Sequence, residues 1–147
     1  MNCLYCAEPD IQRRTIVRTK LAFAFPTNIP IVPGHVLVCP VRCVPRFEDL
    51  TQEEIAAIFG LRGKLKTVLA EVFEAEGFHC VWNEGGVAGQ SVPHFHLHII
   101  PRKAGDTGIT EYDPRKFLYR PGNREQTPTA ELVAVAELIK ENINDKL

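Results

Sequence analysis

The stretch Gly89-Gln90-Ser91-Val92-Pro93-His94-Phe95-His96-Leu97-His98-Ile99-Ile100 decides how this chain is read. In an extended strand successive side chains point to opposite faces. His94, His96 and His98 are therefore expected to share one side and Phe95, Leu97 and Ile99 the other. The apolar side would face a core and the imidazoles a cleft. Three alternating histidines also suit a metal, and a single histidine is commonly solvated or hydrogen-bonded structure. The neighbourhood favours chemistry. Asn83-Glu84-Gly85-Gly86 and Gly89-Gln90-Ser91 supply flexible backbone, amides and a hydroxyl suited to phosphate oxygens.

Working outward, Phe78 to Trp82 reads as a strand, and Glu84 to Gly89 as a loop too rich in glycine for regular structure. Thr51-Gln52-Glu53-Glu54 is a capping box. Ile55, Ile58, Phe59, Leu65, Leu69, Val72 and Phe73 then recur at threes and fours, which predicts a long helix before Gly77. His35-Val36-Leu37-Val38-Cys39, closed by Pro40, reads as a buried strand. Thr15 to Phe25 is rich in β-formers and stops at Pro26-Thr27-Asn28, suggesting one or two strands and a turn. From Ala104 to Pro128 the pattern weakens into an irregular excursion. A C-terminal helix is expected to begin with Pro128 in its first turn and to carry an apolar stripe of Leu132, Val133, Ala136 and Ile139.

The 147 residues suit one domain, 1–147, able to bury roughly 68% of its unfolded surface. The composition is 45% apolar and 24% charged, as in ordinary globular proteins. Seventeen Lys and Arg against eighteen Asp and Glu leave no field to hold a nucleic acid or an anionic membrane, so phosphate recognition must be local. The start lacks the basic and apolar regions of a leader, and no apolar run nears the ~18 residues of a membrane helix. A cytoplasmic protein is expected. Its five cysteines, Cys3, Cys6, Cys39, Cys43 and Cys80, then read as thiols or metal ligands and not as a disulfide framework. Cys39 and Cys80 read as small buried apolar residues, and His79 as an incidental strand residue.

His94-Phe95-His96-Leu97-His98-Ile99-Ile100 resembles the signature of the histidine-triad family. The likeness runs from Asn83 to Arg102 and upstream to Val32-Pro33-Gly34-His35-Val36-Leu37-Val38-Cys39-Pro40. Downstream, Pro101-Arg102-Lys103-Ala104-Gly105-Asp106 is similar to the fragile-histidine-triad branch. About residues 3–106 are covered. The resemblance implies an α+β fold, a twisted antiparallel sheet of about five strands with a long helix and a C-terminal helix. It also implies two-fold homodimers.

The family's nucleophile corresponds to His96, whose neutral imidazole would attack the α-phosphorus of a nucleotide and form a nucleotidyl-histidine. Such an imidazole is available at neutral pH because its unperturbed pKa is ~6.5. In the family a backbone carbonyl near the first triad histidine orients it. By the same resemblance His98 contacts phosphate and protonates the leaving group, and His35 supports the site. Gln90, Ser91 and Asn83 match phosphate-holding positions. Donors of these kinds supply positioning and charge stabilisation without a catalytic metal. The ribose contact departs from the pattern: Thr27 stands at the family's carboxylate or amide position, and Asn28 falls one residue late. Asn28 serves if the turn shifts, and is otherwise a plain turn residue. Phe25 and Ile31 are candidates for base stacking or simple core.

Cys3-x-x-Cys6 resembles the pair with which some family members bind structural zinc, together with a later residue and the first triad histidine. Here those would be Cys43, in place of the usual histidine, and His94. Such a Cys₃His set is a closed tetrahedral site. A thiol pair without a role and a redox pair are the alternatives, the redox pair weakened by the lack of a βαβ pattern. The implied activity is a hydrolase acting on dinucleoside polyphosphates or adenylated small molecules. Phosphate or another acceptor replacing water would make it a phosphorylase or transferase, and a non-catalytic nucleotide-binding module is the third reading.

Overall fold

The structure is a computed structural model that describes residues 3–106 and 126–144. Most of the excursion expected between Ala104 and Pro128 lies outside the described residues. Two short helices come first, α1 (Leu4–Ala7) and α2 (Pro9–Arg13). No pattern in the sequence analysis marks them, and Pro9 at the first position of α2 with Glu8 capping it explains the second locally.

The strands are β1 (Val17–Arg18), β2 (Ala22–Pro26), β3 (Val36–Pro40), β4 (Gly77–Val81) and β5 (Leu97–Arg102). Among the described residues they form one antiparallel sheet in the order β1-β2-β3-β5-β4. The expected α+β class and strand count hold. Between β3 and β4 runs α3 (Gln52–Val72), whose capping box is as expected: Thr51 Oγ1 accepts from the Glu54 N–H at 3.1 Å, and Glu54 Oε1 from the Thr51 N–H at 2.8 Å. The C-terminal helix is α4 (Thr129–Asn144).

The central strands β2 and β3 are buried on both faces, which is why they are apolar at every position instead of alternating. On one face Ala22, Ala24, Val36, Val38, Leu97 and Ile99 meet Ile58, Leu65 and Leu69 of α3 and Ala136, Ile139 and Ile143 of α4. On the other, Phe23, Phe25, Leu37 and Cys39 pack under Ile11 and Tyr5 of the N-terminal helices. Gly34 leads into β3 at φ +91°, a conformation that favours glycine, and a Cβ there would stand a tight 3.0 Å from the Phe73 ring. Cys39 is fully buried as expected, while Cys80 is only half-buried at the edge of the helical core. His79 pairs with Ile100 on β4.

One expectation is corrected. The triad does not lie along a single strand, because β5 begins only at Leu97. Pro93 has no N–H to give, the His94 N–H turns back to the Val92 carbonyl, and the Phe95 N–H goes to Val44. The ladder with β3 therefore starts at Val38 opposite Leu97. Side-chain alternation nevertheless survives along the extended approach: Phe95 is in the helical core, and His96 faces the other way.

Candidate functional site

Cross-strand register lays out the floor of a cavity. Phe25, Leu37, His98 and Val81 stand opposite one another on β2, β3, β5 and β4, and all four line a space of about 390 Å³. The N-terminal helices wall it on one side. The segment entering α4 closes another, where the Thr127 N–H donates to the Asn28 carbonyl at 2.7 Å.

His96 lines this cavity although only 4% exposed. Its Nδ1 lies 2.8 Å from the carbonyl oxygen of His94, which accepts only, so Nδ1 carries the proton and Nε2 holds the lone pair. Burial holds the imidazole below the usual histidine value, favouring the neutral nucleophilic form. Tyr5 packs edge-on against the ring, with centroids 5.2 Å apart.

A second chain of hydrogen bonds fixes His35 and His98. The Ile31 N–H donates to His35 Nδ1 at 3.0 Å, so the His35 proton is on Nε2, 2.9 Å from His98 Nδ1. His98 Nδ1 accepts, and in the neutral ring its proton is on Nε2. His35 is 1% exposed and acts as a strut under His98.

Asn83, Ser91 and Asn28 all line the cavity, as do Thr27, Phe25 and Ile31. Thr27 is buried, and its Oγ1 accepts from the Ile29 N–H at 3.3 Å, so both turn candidates reach the site. Gln90 is placed differently from expectation and does not line the cavity. Its Oε1 accepts from the Gly85 N–H at 2.8 Å and its Nε2 donates to the Pro45 carbonyl at 2.9 Å, so its amide braces the glycine loop. Arg14 is a cavity residue that sequence reasoning missed. No motif marks it, since it gains the cavity only through the docking of α2.

Beside the cavity, Cys3, Cys6, Cys43 and His94 come together with their ligand atoms all within 4.8 Å of one another. His94 is fully buried, and its Nε2 donates to the Pro40 carbonyl at 2.7 Å. Its Nδ1 is therefore the unprotonated nitrogen, 3.2 Å from Cys3 Sγ and 3.6 Å from Cys6 Sγ. That is the tautomer a metal needs, held by the outer carbonyl in the manner of metal-site histidines. Three thiols and one imidazole fit a closed, four-coordinate zinc site and leave no open position for catalysis.

Among the described residues no helix is long and apolar enough to cross a membrane. Comparison with known proteins places residues 8–105 in the HIT domain family. An asymmetrical bis(5'-nucleosyl)-tetraphosphatase of Schizosaccharomyces pombe is 45% identical over 103 residues, 70% of this chain and 57% of that protein. A bis(5'-adenosyl)-triphosphatase of Dictyostelium discoideum is 38% identical over 117 residues, covering 80% of this chain and 75% of the relative. Thus the chain spans little more than half the length of the first of these relatives. The fold of a Plasmodium falciparum diadenosine triphosphate hydrolase superposes with a TM-score of 0.75 at 30% identity, over 92% of this chain and 79% of that one.

Proposed function

This chain belongs to the HIT domain family, and from that premise we propose that it hydrolyses dinucleoside polyphosphates or adenylated small molecules at the α-phosphate through His96. The observation that carries the reading is the His96 tautomer, with Nδ1 committed to the His94 carbonyl and Nε2 left with its lone pair beside the cavity. Attack by Nε2 forms a P–N bond while the P–O bond to the remaining polyphosphate breaks, the electron pair leaving on oxygen. The His98 Nε2–H supplies the proton to that oxygen, with His35 holding the ring. Water then cleaves the P–N bond and releases the mononucleotide. Ser91 and Asn83 are the donors for the phosphate oxygens, and Thr27 or Asn28 for the ribose. The phosphate-binding role expected of Gln90 becomes indirect, through the loop that carries Ser91.

Cys3, Cys6, Cys43 and His94 would hold a structural zinc, supported by the donor set and the His94 tautomer. When bound, the ion supplies cross-linking of the N-terminal segment to the approach of β5. The exposed edge of β4 in the strand order supports a two-fold homodimer with joined sheets. The thiols that the zinc site needs suit a reducing, cytoplasmic setting.

The test is incubation with diadenosine tri- and tetraphosphate and an adenosine phosphoramidate, with and without inorganic phosphate. AMP with the complementary nucleotide, independent of phosphate, is the expected result. ADP from the adenylyl half only when phosphate is present would make the protein a phosphorylase. No product from any substrate would leave a binding module.

A further inference from the structure

Arg14 caps the end of α2 and is 94% buried, with 6% of its surface exposed, yet it lines the cavity. Its Nε donates to the Pro26 carbonyl at 2.9 Å, and its guanidinium carbon stands 5.5 Å from the centre of the Phe25 ring. Among the described residues no carboxylate pairs with it and no acceptor takes its Nη hydrogens. A guanidinium that lines a ligand-sized cavity and spends only its Nε on the backbone has Nη hydrogens to offer an acceptor on the ligand.

The register fixes which part of a nucleotide would meet it. His98 and Phe25 are separated by Leu37 in one cross-strand row, two strand spacings or roughly 10 Å. With phosphate at His96 and His98, the ribose falls near Thr27 and Asn28 and the base on Phe25, its edge toward Arg14. A second phosphate is a poor occupant there, because Glu8 lines the same cavity and its carboxylate lies within electrostatic reach of Arg14. A neutral base edge suits a cation with a carboxylate nearby but not bonded to it.

We infer that Arg14 is a base-specificity residue and selects guanine over adenine in the substrate. Guanine offers O6 and N7 as adjacent acceptors to the guanidinium fork, whereas adenine offers N7 beside an N6 donor that the cation repels. Guanine's N1–H and N2 amine are also donors that Glu8 can accept. This rests on the nucleotide reading of the site and adds the choice of base.

Titration calorimetry with GMP, IMP and AMP tests it on the wild-type protein. GMP and IMP, which share O6 and N7, are expected to bind roughly five- to 150-fold tighter than AMP, the worth of a good bidentate contact. Arg14→Gln should bring GMP and IMP to the AMP level and leave AMP within a few-fold. Equal or tighter AMP binding to wild type, or an equal loss for all three in Arg14→Gln, would overturn the inference. The wild-type comparison stands even where the variant folds poorly, and Arg14→Lys, which keeps the charge without the fork, should lose most of the preference. The two readings fail separately. Arg14-dependent GMP preference without hydrolysis of any dinucleotide would sink the hydrolase alone, and hydrolysis with no base preference would sink this inference alone.

Discussion

The Nδ1–H of His96 donates to the main-chain carbonyl of His94 over 2.8 Å, so one residue of the triad sets the tautomer of the next through backbone and not through its own ring. The His94 ring is thereby free to face the thiols.

Replacing His96 with Asn or Ala should lower turnover of diadenosine tetraphosphate by on the order of 10⁴-fold or more, as for other nucleophile deletions. Mass spectrometry of the wild-type protein quenched during turnover should show a nucleotidyl adduct, absent from His96→Asn. Retained turnover in either variant would remove His96 as nucleophile.

His98 and His35 act as one unit, joined at 2.9 Å. His98→Ala should reduce kcat by roughly 10²-fold, the usual worth of a general acid. The loss should shrink for substrates whose leaving group needs no proton. His35→Ala should reproduce part of this loss, and the double variant should cost less than the sum of the two, as expected for coupled residues.

The metal proposal predicts close to one equivalent of zinc per chain on elemental analysis of purified protein. Cys6→Ser or chelation should lower Tm by roughly 4–8 °C, about 2 kcal/mol for a chain of this size. Far less than one equivalent, with a melting temperature indifferent to chelator, would refute the site.

Glu54 joins the cap of α3 to Arg42, with 2.7 and 3.1 Å contacts to the guanidinium. Arg42 holds its carboxyl below the usual carboxylate range. A depressed folded pKa contributes stability that is complete above the unfolded value of ~4.3 and is lost as pH falls through the folded one. Urea melts should therefore show wild type more stable than Glu54→Gln at pH 7, with the gap closing below about pH 4. A gap unchanged at low pH would show that the carboxylate charge is not what matters. Thr51→Ala, which removes the other half of the cap, should cost about 1 kcal/mol.

Local pattern and local chemistry made much of the fold readable. The Thr51-x-x-Glu54 box and a 3.6-residue apolar stripe specify α3, and short apolar runs ended by proline specify β2 and β3. The sequence pattern leaves α1 and α2 unmarked and overstates the extent of the triad strand, because alternation of side chains does not require the ladder that defines a strand. His94 and His96 alternate in an extended approach whose N–H groups bond elsewhere.

What the sequence by itself determined is which residues can do chemistry: three histidines one residue apart, a glycine-rich loop with donors, and cysteines at spacings a metal accepts. The tertiary structure decided which atoms face which partner. Cys3 reaches His94 across 91 positions, Gln90 turns its amide into the loop, and Arg14 arrives over Phe25 when α2 docks on the sheet. Periodicity reports each residue's face within its own element. Proximity between distant elements, and the tautomers that follow from it, exist only once the chain has closed on itself.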